Sequence, residues 1–355
     1  MMVKISSVTV KLVELRFDKP RGGSQVAGVD IVTADIVDSD GAAGFGFSYV
    51  IGGGAGGLIA GIAQSLADHF LLGKSVADPA SHWAEIDKSF NRTGGGPNII
   101  ALAALDVANW DLKARREGVP LVGALGGEMG GVPVYASGGF HPNGEAEVSA
   151  DLAQRYAAMG FWGVKPRVNA DERDSAVIDA VRRAIGDELA IMVDANEKGT
   201  METAVRLLSC AADLGVTFVE EPLPAGDVLG YRKLGALQGR APIATGEHLQ
   251  GLDRFAVTVA DAYCSYLQPD LAMAGGLTPC REAARLAAAA GITVAPHFLP
   301  GLFVHLNGAF GGSLLLEEFP LIEEAFEGWP SMDDRGMMAP LNEPGHGLRI
   351  RHQMY

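Results

Sequence analysis

From residue 132 onward, short apolar and β-branched runs alternate with helical stretches, and seven of the eight runs end on, or within two residues of, a charged, amide or imidazole side chain. The runs fall at 134–136, 163–167, 190–194, 218–220, 243–245, 265–268, 293–295 and 313–316. Helical periodicity occupies 145–158, 172–185, 201–214 and 279–290. Eight strands alternating with helices over about 190 residues predict a closed parallel (β/α) barrel in preference to an open sheet.

The segment before it reads differently. Residues 3–15 alternate, and 29–37 and 44–50 are strand-like runs separated by the turn signal Asp38-Ser39-Asp40-Gly41. Helical periodicity follows at 58–71, 81–89 and 99–116. This predicts an α+β unit ending near Leu125-Gly126-Gly127, hence a division into 1–128, 129–328 and 329–355. The last segment carries one strand, 347–351, which is expected to return to the first unit.

Composition narrows the class. With 355 residues, 48% of them hydrophobic, the chain can bury a large core. A net charge of −15 argues against nucleic acid or an anionic membrane as partner. It does not argue against a small anionic substrate, because a bound metal dominates its own surroundings. No apolar run approaches membrane-spanning length, and the N-terminus lacks the apolar core of a signal peptide. The three cysteines form no C-x-x-C pair and read as reduced thiols of a cytoplasmic protein.

In a barrel, catalytic groups collect at the C-terminal strand ends. Here those ends carry Lys165-Pro166-Arg167, Asp194-Ala195-Asn196, Glu220-Glu221-Pro222, Gly246-Glu247-His248, Gln268-Pro269-Asp270, Pro296-His297 and Glu317-Glu318. Asp194, Glu220 and Glu247 come from consecutive strands, 26 residues apart (194 to 220) and then 27 (220 to 247). One acidic residue after a strand often caps a helix. Three in succession suit a hard divalent cation, and Mg²⁺ fits better than zinc because no cysteine joins them. Lys165 and Arg167 flank Pro166 and would face the same way. They either neutralise the carboxylates, or Lys165 faces a substrate carboxylate or its α-carbon. Pro166 implies a distorted strand or one already ending there. Asp270 beside His297 is an orienter-and-base arrangement, although a lone histidine at a strand end is as readily structural. The run Gly52-Gly53-Gly54-Ala55-Gly56-Gly57 satisfies G-x-G-x-x-G but lacks the second strand of a dinucleotide site. A flexible glycine loop over the barrel mouth is expected instead.

The runs Met192-Val193-Asp194-Ala195-Asn196, Val219-Glu220-Glu221-Pro222, Thr245-Gly246-Glu247, Gln268-Pro269-Asp270 and Ala295-Pro296-His297 resemble the mandelate racemase branch of the enolase superfamily, in the mandelate racemase / muconate lactonizing enzyme family. Residues 104–112 and the Leu125-Gly126-Gly127 turn resemble the family's helix and loop ahead of the barrel. The resemblance implies a modified TIM barrel, (β/α)₇β, under an N-terminal α+β capping domain. It implies Mg²⁺ held by Asp194, Glu220 and Glu247, a dyad of His297 and Asp270, Glu317 near the substrate carboxylate, and Asn196 near the metal. Loops 17–29 and 49–57 are expected as lids, with Tyr49, His141 and His248 toward the substrate. A small carboxylate substrate and self-association into a homo-oligomer follow from the same resemblance.

The chain departs from the family at Arg167, where the usual Lys-x-Lys has its second lysine. A guanidinium is a poor general base, so two-base racemisation is less natural and β-elimination by one histidine more so. The last lysine is Lys233, so the strand-six lysine of the cycloisomerase and dipeptide-epimerase branches has no counterpart. The leading expectation is an acid-sugar dehydratase, a hydro-lyase forming a 2-keto-3-deoxy acid. A racemase or epimerase of a 2-hydroxy acid comes next, and a non-catalytic descendant last.

Overall fold

The computed structural model describes residues 2–22, 25–76, 78–143 and 145–351. Strands β1 (Ile5–Arg21), β2 (Val26–Asp38) and β3 (Ala43–Ile51) form an antiparallel sheet in the order β1-β2-β3. Helices α1 (Gly56–Phe70), α2 (Pro79–Ser89), α3 (Pro97–Glu117) and the single turn α4 (Leu121–Ala124) follow. The sheet and α3 meet at unusually short range. A Cβ on Gly46 would lie 2.2 Å from the Ala108 nitrogen, and one on Gly44 would lie 2.3 Å from the Ala108 oxygen. Glycines on the strand facing alanines on the helix let the two backbones pack directly, which any larger pair would prevent.

The second unit is the barrel. Its strands are β4 (Val132–Ala136), β5 (Gly163–Val164), β6 (Ala190–Asp194), β7 (Phe218–Glu220), β8 (Ile243–Thr245), β9 (Tyr266–Leu267), β10 (Thr293–Val294) and β11 (Leu316–Glu318). Between them run α5 (Ala146–Ala158), α6 (Asp174–Ile185), α7 (Met201–Asp213), α8 (Val228–Gly235) and α9 (Leu252–Ala260). Then come α10 (Leu271–Ala274), α11 (Leu277–Ala289) and α12 (Pro300–Phe303). All ladder pairs between successive barrel strands are parallel, and β11 pairs with β4. The ring closes where Val294 donates to Ser313 at 3.0 Å and Leu315 donates to Val294 at 2.9 Å. No helix among the described residues is long and apolar enough to cross a membrane.

The tail does return. Arg349–Ile350 pairs with Phe326–Glu327, and Met337–Met338 adds an antiparallel edge to β4. The buried Asp111 on α3 clasps it: its carboxylate accepts from the backbone of Phe45 and of His346, each at 2.9 Å, and pairs with Arg115 at 2.6 Å.

The capping unit grips one barrel segment in particular, the loop from β9 to α11. Helix α11 has no side-chain cap of its own. Asp106, on α3, supplies one by accepting from the Thr278 N–H at 2.8 Å and its hydroxyl at 2.6 Å. Trp83 donates to the Gly275 carbonyl at 2.9 Å. Burial drives the Asp106 carboxyl up to about 7, against the hydrogen bonds from Thr278.

Two expectations change. The 17–29 segment is no free lid: β1 extends to Arg21 and β2 begins at Val26, while Gly23 and Ser24 lie outside the described residues. Gly22 packs on Phe319 and Arg21 pairs with Glu324 at 2.8 Å, so the hairpin rests on the barrel beyond β11. The glycine run at 52–57 folds onto its own sheet, with Gly52 donating to the Gly28 carbonyl and Gly56 to the buried Asp30 carboxylate, each at 2.9 Å. Its glycines meet the demand for positive φ at residues 52, 53 and 54 rather than forming a flap.

Burial, reinforced by His346 beside it, lowers His305 to about 3. An imidazole held neutral in the fold and titrating near 6.5 when unfolded gives stability that is full above pH 6.5 and falls as the pH drops toward 3. Between pH 7 and pH 5 this loss is about 2 kcal/mol. His305→Gln should therefore show a flatter decline of unfolding free energy over that range, measured by urea titration at each pH.

Candidate active site

The side chains at the barrel mouth are placed by strand alternation. Tyr135, Met192, Phe218, Ala244, Tyr266, Ala295 and Leu315 form an apolar plug inside the barrel. Two residues further along a strand, the next side chain on the same face reaches the mouth. Those residues are Ser137, Asp194, Glu220, Gln268, His297 and Glu317. On β8 the rule would deliver Gly246 instead. Gly246 has φ +138°, and a Cβ there would crowd the Gln268 backbone at about 3.0 Å. That backbone, open only to glycine, turns Glu247 into the ring one residue late.

Lys165 stands at the centre, fully buried. Its Nζ lies 2.6 Å from Glu220 Oε2 and 2.7 Å from Glu317 Oε1. Gln268 also donates to Glu220 Oε2 at 2.6 Å. Glu317 is completed by the Ser137 hydroxyl and by the Phe298 N–H at 3.1 Å. Strand β5 ends at Val164, so Lys165 and Arg167 leave it in the extended chain around Pro166. Arg167 lies 3.4 Å from Asp194, whose other oxygen accepts from the Asn196 N–H at 2.7 Å. Asn196 thus contributes its backbone, at φ +47°.

His297 Nδ1 faces Asp270 Oδ2 at 2.8 Å, and its Nε2 lies 3.4 Å from Glu247. Burial disfavours the imidazolium, but Glu247 and Asp270 outweigh it and raise His297 to about 10. Glu317 goes the other way: burial would raise it, yet Lys165 and His297 hold it down at about 2. Lys165 stays charged despite complete burial because Glu220 and Glu317 both face it.

Five carboxylates (Asp194, Glu220, Glu247, Asp270 and Glu317) thus face two permanent cations, Lys165 and Arg167. Burial and the like charges of Asp194 and Glu247 push the Glu220 carboxyl well above its usual range. Its Oε1 is buried with no hydrogen-bond partner among the described residues. An oxygen of this kind, amid surplus negative charge, suits a divalent cation, and Asp194, Glu220 and Glu247 form an all-oxygen donor set for one. Among the described residues, the trio of ligand-type groups already within 4.8 Å of one another is a different one, Glu197, Glu221 and His248.

The remaining expected residues divide. His248 faces Glu221 at 3.0 Å, and that hydrogen bond outweighs burial to raise the imidazole to about 9. It also lines a cavity of about 240 Å³ between cap and mouth, together with Tyr49, Ile100, Glu247, Met273 and His297. Tyr49 belongs to β3, not a lid, and its hydroxyl is committed to Asp270. His141 stays on the exposed loop after β4, its Nδ1 accepting from the Asn143 N–H at 3.1 Å. Glu221, Gln268 and Ser137 were not singled out from the sequence. Gln268 and Glu221 lay inside quoted motifs, but only a strand register assigns them a direction.

Fold and site together define a capped barrel equipped for acid–base work on an anionic ligand. Residues 20–126 match the mandelate racemase / muconate lactonizing enzyme N-terminal domain, and 148–354 match the enolase C-terminal domain-like profile. The chain belongs to the mandelate racemase / muconate lactonizing enzyme family of the enolase superfamily. It is 34% identical over 330 residues to L-talarate/galactarate dehydratase of Salmonella typhimurium, covering 92% of this chain and 81% of that one. It is 31% identical to 3,6-anhydro-alpha-L-galactonate cycloisomerase of Streptomyces coelicolor, covering 90% and 88%. The crystal structure of L-talarate dehydratase from Polaromonas sp. JS666, complexed with Mg and L-glucarate, superposes with a TM-score of 0.91 at 32% identity, covering 99% of this chain and 96% of that one.

Removing one partner of a buried ion pair leaves an uncompensated charge, at a cost of about 3–5 kcal/mol. Lys165→Met should lower the unfolding free energy by that amount in urea titration. Adding Glu317→Gln should recover part of it.

Proposed function

We propose that the chain dehydrates an acid sugar in a Mg²⁺-dependent reaction, converting a 2,3-dihydroxy carboxylate into a 2-keto-3-deoxy acid. The observation that carries this reading is the asymmetry of the acid–base groups. His297, oriented by Asp270, follows β10, whereas Arg167 follows β5, three strands away by the shorter way round the ring of eight. One side offers a base and the other a permanent cation.

In this reading Asp194, Glu220 and Glu247 hold Mg²⁺. When bound, the ion would take up the Glu247 charge that raises His297 and oppose the negative charge that builds as the substrate proton leaves. Lys165, locked between Glu220 and Glu317, provides a buried cation toward the substrate carboxylate. His297 removes the α-proton; the C–H electrons form the C2=C3 bond, and the C3–O bond breaks. The proton held on His297 Nε2 passes to the departing hydroxyl, so water leaves and the enol becomes the ketone. Arg167 orients or polarises a substrate hydroxyl. The capping unit closes the small cavity and limits water. A cytoplasmic location and self-association remain part of the proposal, the latter tested by light scattering.

Racemisation or epimerisation of a 2-hydroxy acid is the second reading, favoured by the similarity to a cycloisomerase, itself an isomerase. Incubation with Mg²⁺ and a panel of acid sugars in D₂O, followed by proton NMR, separates the two. New 3-deoxy methylene signals are expected; loss of an α-proton signal without elimination would replace dehydration by racemisation. Arg167→Lys should speed exchange only if that position touches the α-carbon.

Mg²⁺ at about 100 times its dissociation constant should stabilise the fold by about 2.7 kcal/mol, a shift of several degrees in melting temperature. Glu220→Gln should abolish that shift. An equal shift in the variant would remove Glu220 from the metal site.

A further inference from the structure

Of the contacts by which the cap grips the loop from β9 to α11, those of Trp83, Asp106 and Trp110 end on Gly275 or on Thr278 at the start of α11. Another ends on the dyad. The Tyr49 hydroxyl donates to Asp270 Oδ2, the same oxygen that faces His297 Nδ1 at 2.8 Å. Asp270 Oδ1 accepts from the Met273 N–H at 2.8 Å. Both carboxylate oxygens therefore have fixed partners, and the group cannot rotate without losing one. The Tyr49 ring meets Phe298 edge-on at 4.9 Å, and Phe298 meets the His297 ring edge-on at 5.0 Å. Tyr49 is 4% exposed, so water cannot readily replace its hydroxyl. Burial and the Asp270 charge push the phenol well above its ordinary value, which keeps it a donor.

We propose that Tyr49 is a positioning residue for proton transfer, a third member of the dyad contributed by the capping unit, which holds Asp270 in the orientation that aims His297 Nε2 at the substrate. Its hydroxyl also draws charge from Oδ2, so the shared proton stays on His297 Nδ1 and Nε2 remains the reacting nitrogen. The cap is then part of the catalytic geometry as well as a cover. The inference rests on the reading of His297 and Asp270 as the acid–base pair.

The test uses the full chain with Mg²⁺ and Tyr49→Phe, which removes one oxygen and keeps the ring contacts. Trp83→Phe, which loosens the same loop away from the dyad, is the control. The substrate-free readout is the downfield proton resonance of His297 Nδ1–H, assigned by its loss in His297→Asn. Tyr49→Phe should move it further downfield as Asp270 bonds the imidazole alone, and Trp83→Phe should leave it in place. With the acid sugar found by the NMR panel, Tyr49→Phe should lower kcat by about 10–100-fold and change KM by less than about threefold. In an Asp270→Asn background the same substitution should cost nothing more. An unmoved resonance with wild-type kcat, or effects matching those of Trp83→Phe, would overturn the role of Tyr49 alone. Undiminished α-proton exchange in His297→Asn would overturn the dyad reading and this inference with it.

Discussion

The barrel mouth concentrates more negative charge than its own cations can balance, and the surrounding structure is organised around that imbalance. Each buried carboxylate must find a partner or lose several kcal/mol to desolvation. Lys165 serves Glu220 and Glu317, Arg167 serves Asp194, and backbone N–H groups of Asn196, Met273 and Phe298 take further oxygens. What is left over is one oxygen of Glu220 and an imidazole pulled far from neutrality by Glu247. Both are consequences of the same surplus, and both would be relieved by one divalent cation.

Holding such a cluster requires backbone that ordinary strands do not provide. Asn196, Glu221, Phe298 and Leu299 all have positive φ, and each follows a barrel strand at the mouth. Positions of this kind persist only where the surroundings over-determine them. Here the surroundings include the cap. Its α3 caps α11, its Trp83 holds Gly275, and its Tyr49 reaches Asp270, so the loop bearing the dyad is fixed from a separate unit. The tail completes the arrangement from the other side through Asp111 and His346.

Much of this was legible in the chain. Strands β6, β7 and β8 occupy the expected residues, because each is a short apolar run with a polar end and helical periodicity on either side. The cap sheet and its three long helices were readable for the same reason, and β5 stopped short where Pro166 had signalled it. The segments expected as lids rest here on their own sheet and on the barrel, contacts that a glycine-rich or turn-rich pattern does not reveal, because it looks alike whether a segment swings free or folds back. Tyr49 was expected to face substrate. Its bond to Asp270 spans 221 residues, and no local pattern encodes a contact of that separation.

The sequence by itself determined which residue types stand at each strand end, and the two-residue period of a strand determined which of them share a face with the apolar plug. Side-chain direction is a local property, set by the backbone within a few residues. Tertiary structure alone decided which of those groups meet. Lys165 bridges Glu220 and Glu317, Glu247 enters through the glycine backbone at Gly246, and Tyr49 joins the His297–Asp270 pair. Those contacts depend on how the barrel closes and where the cap docks, and both are set by packing of the whole chain.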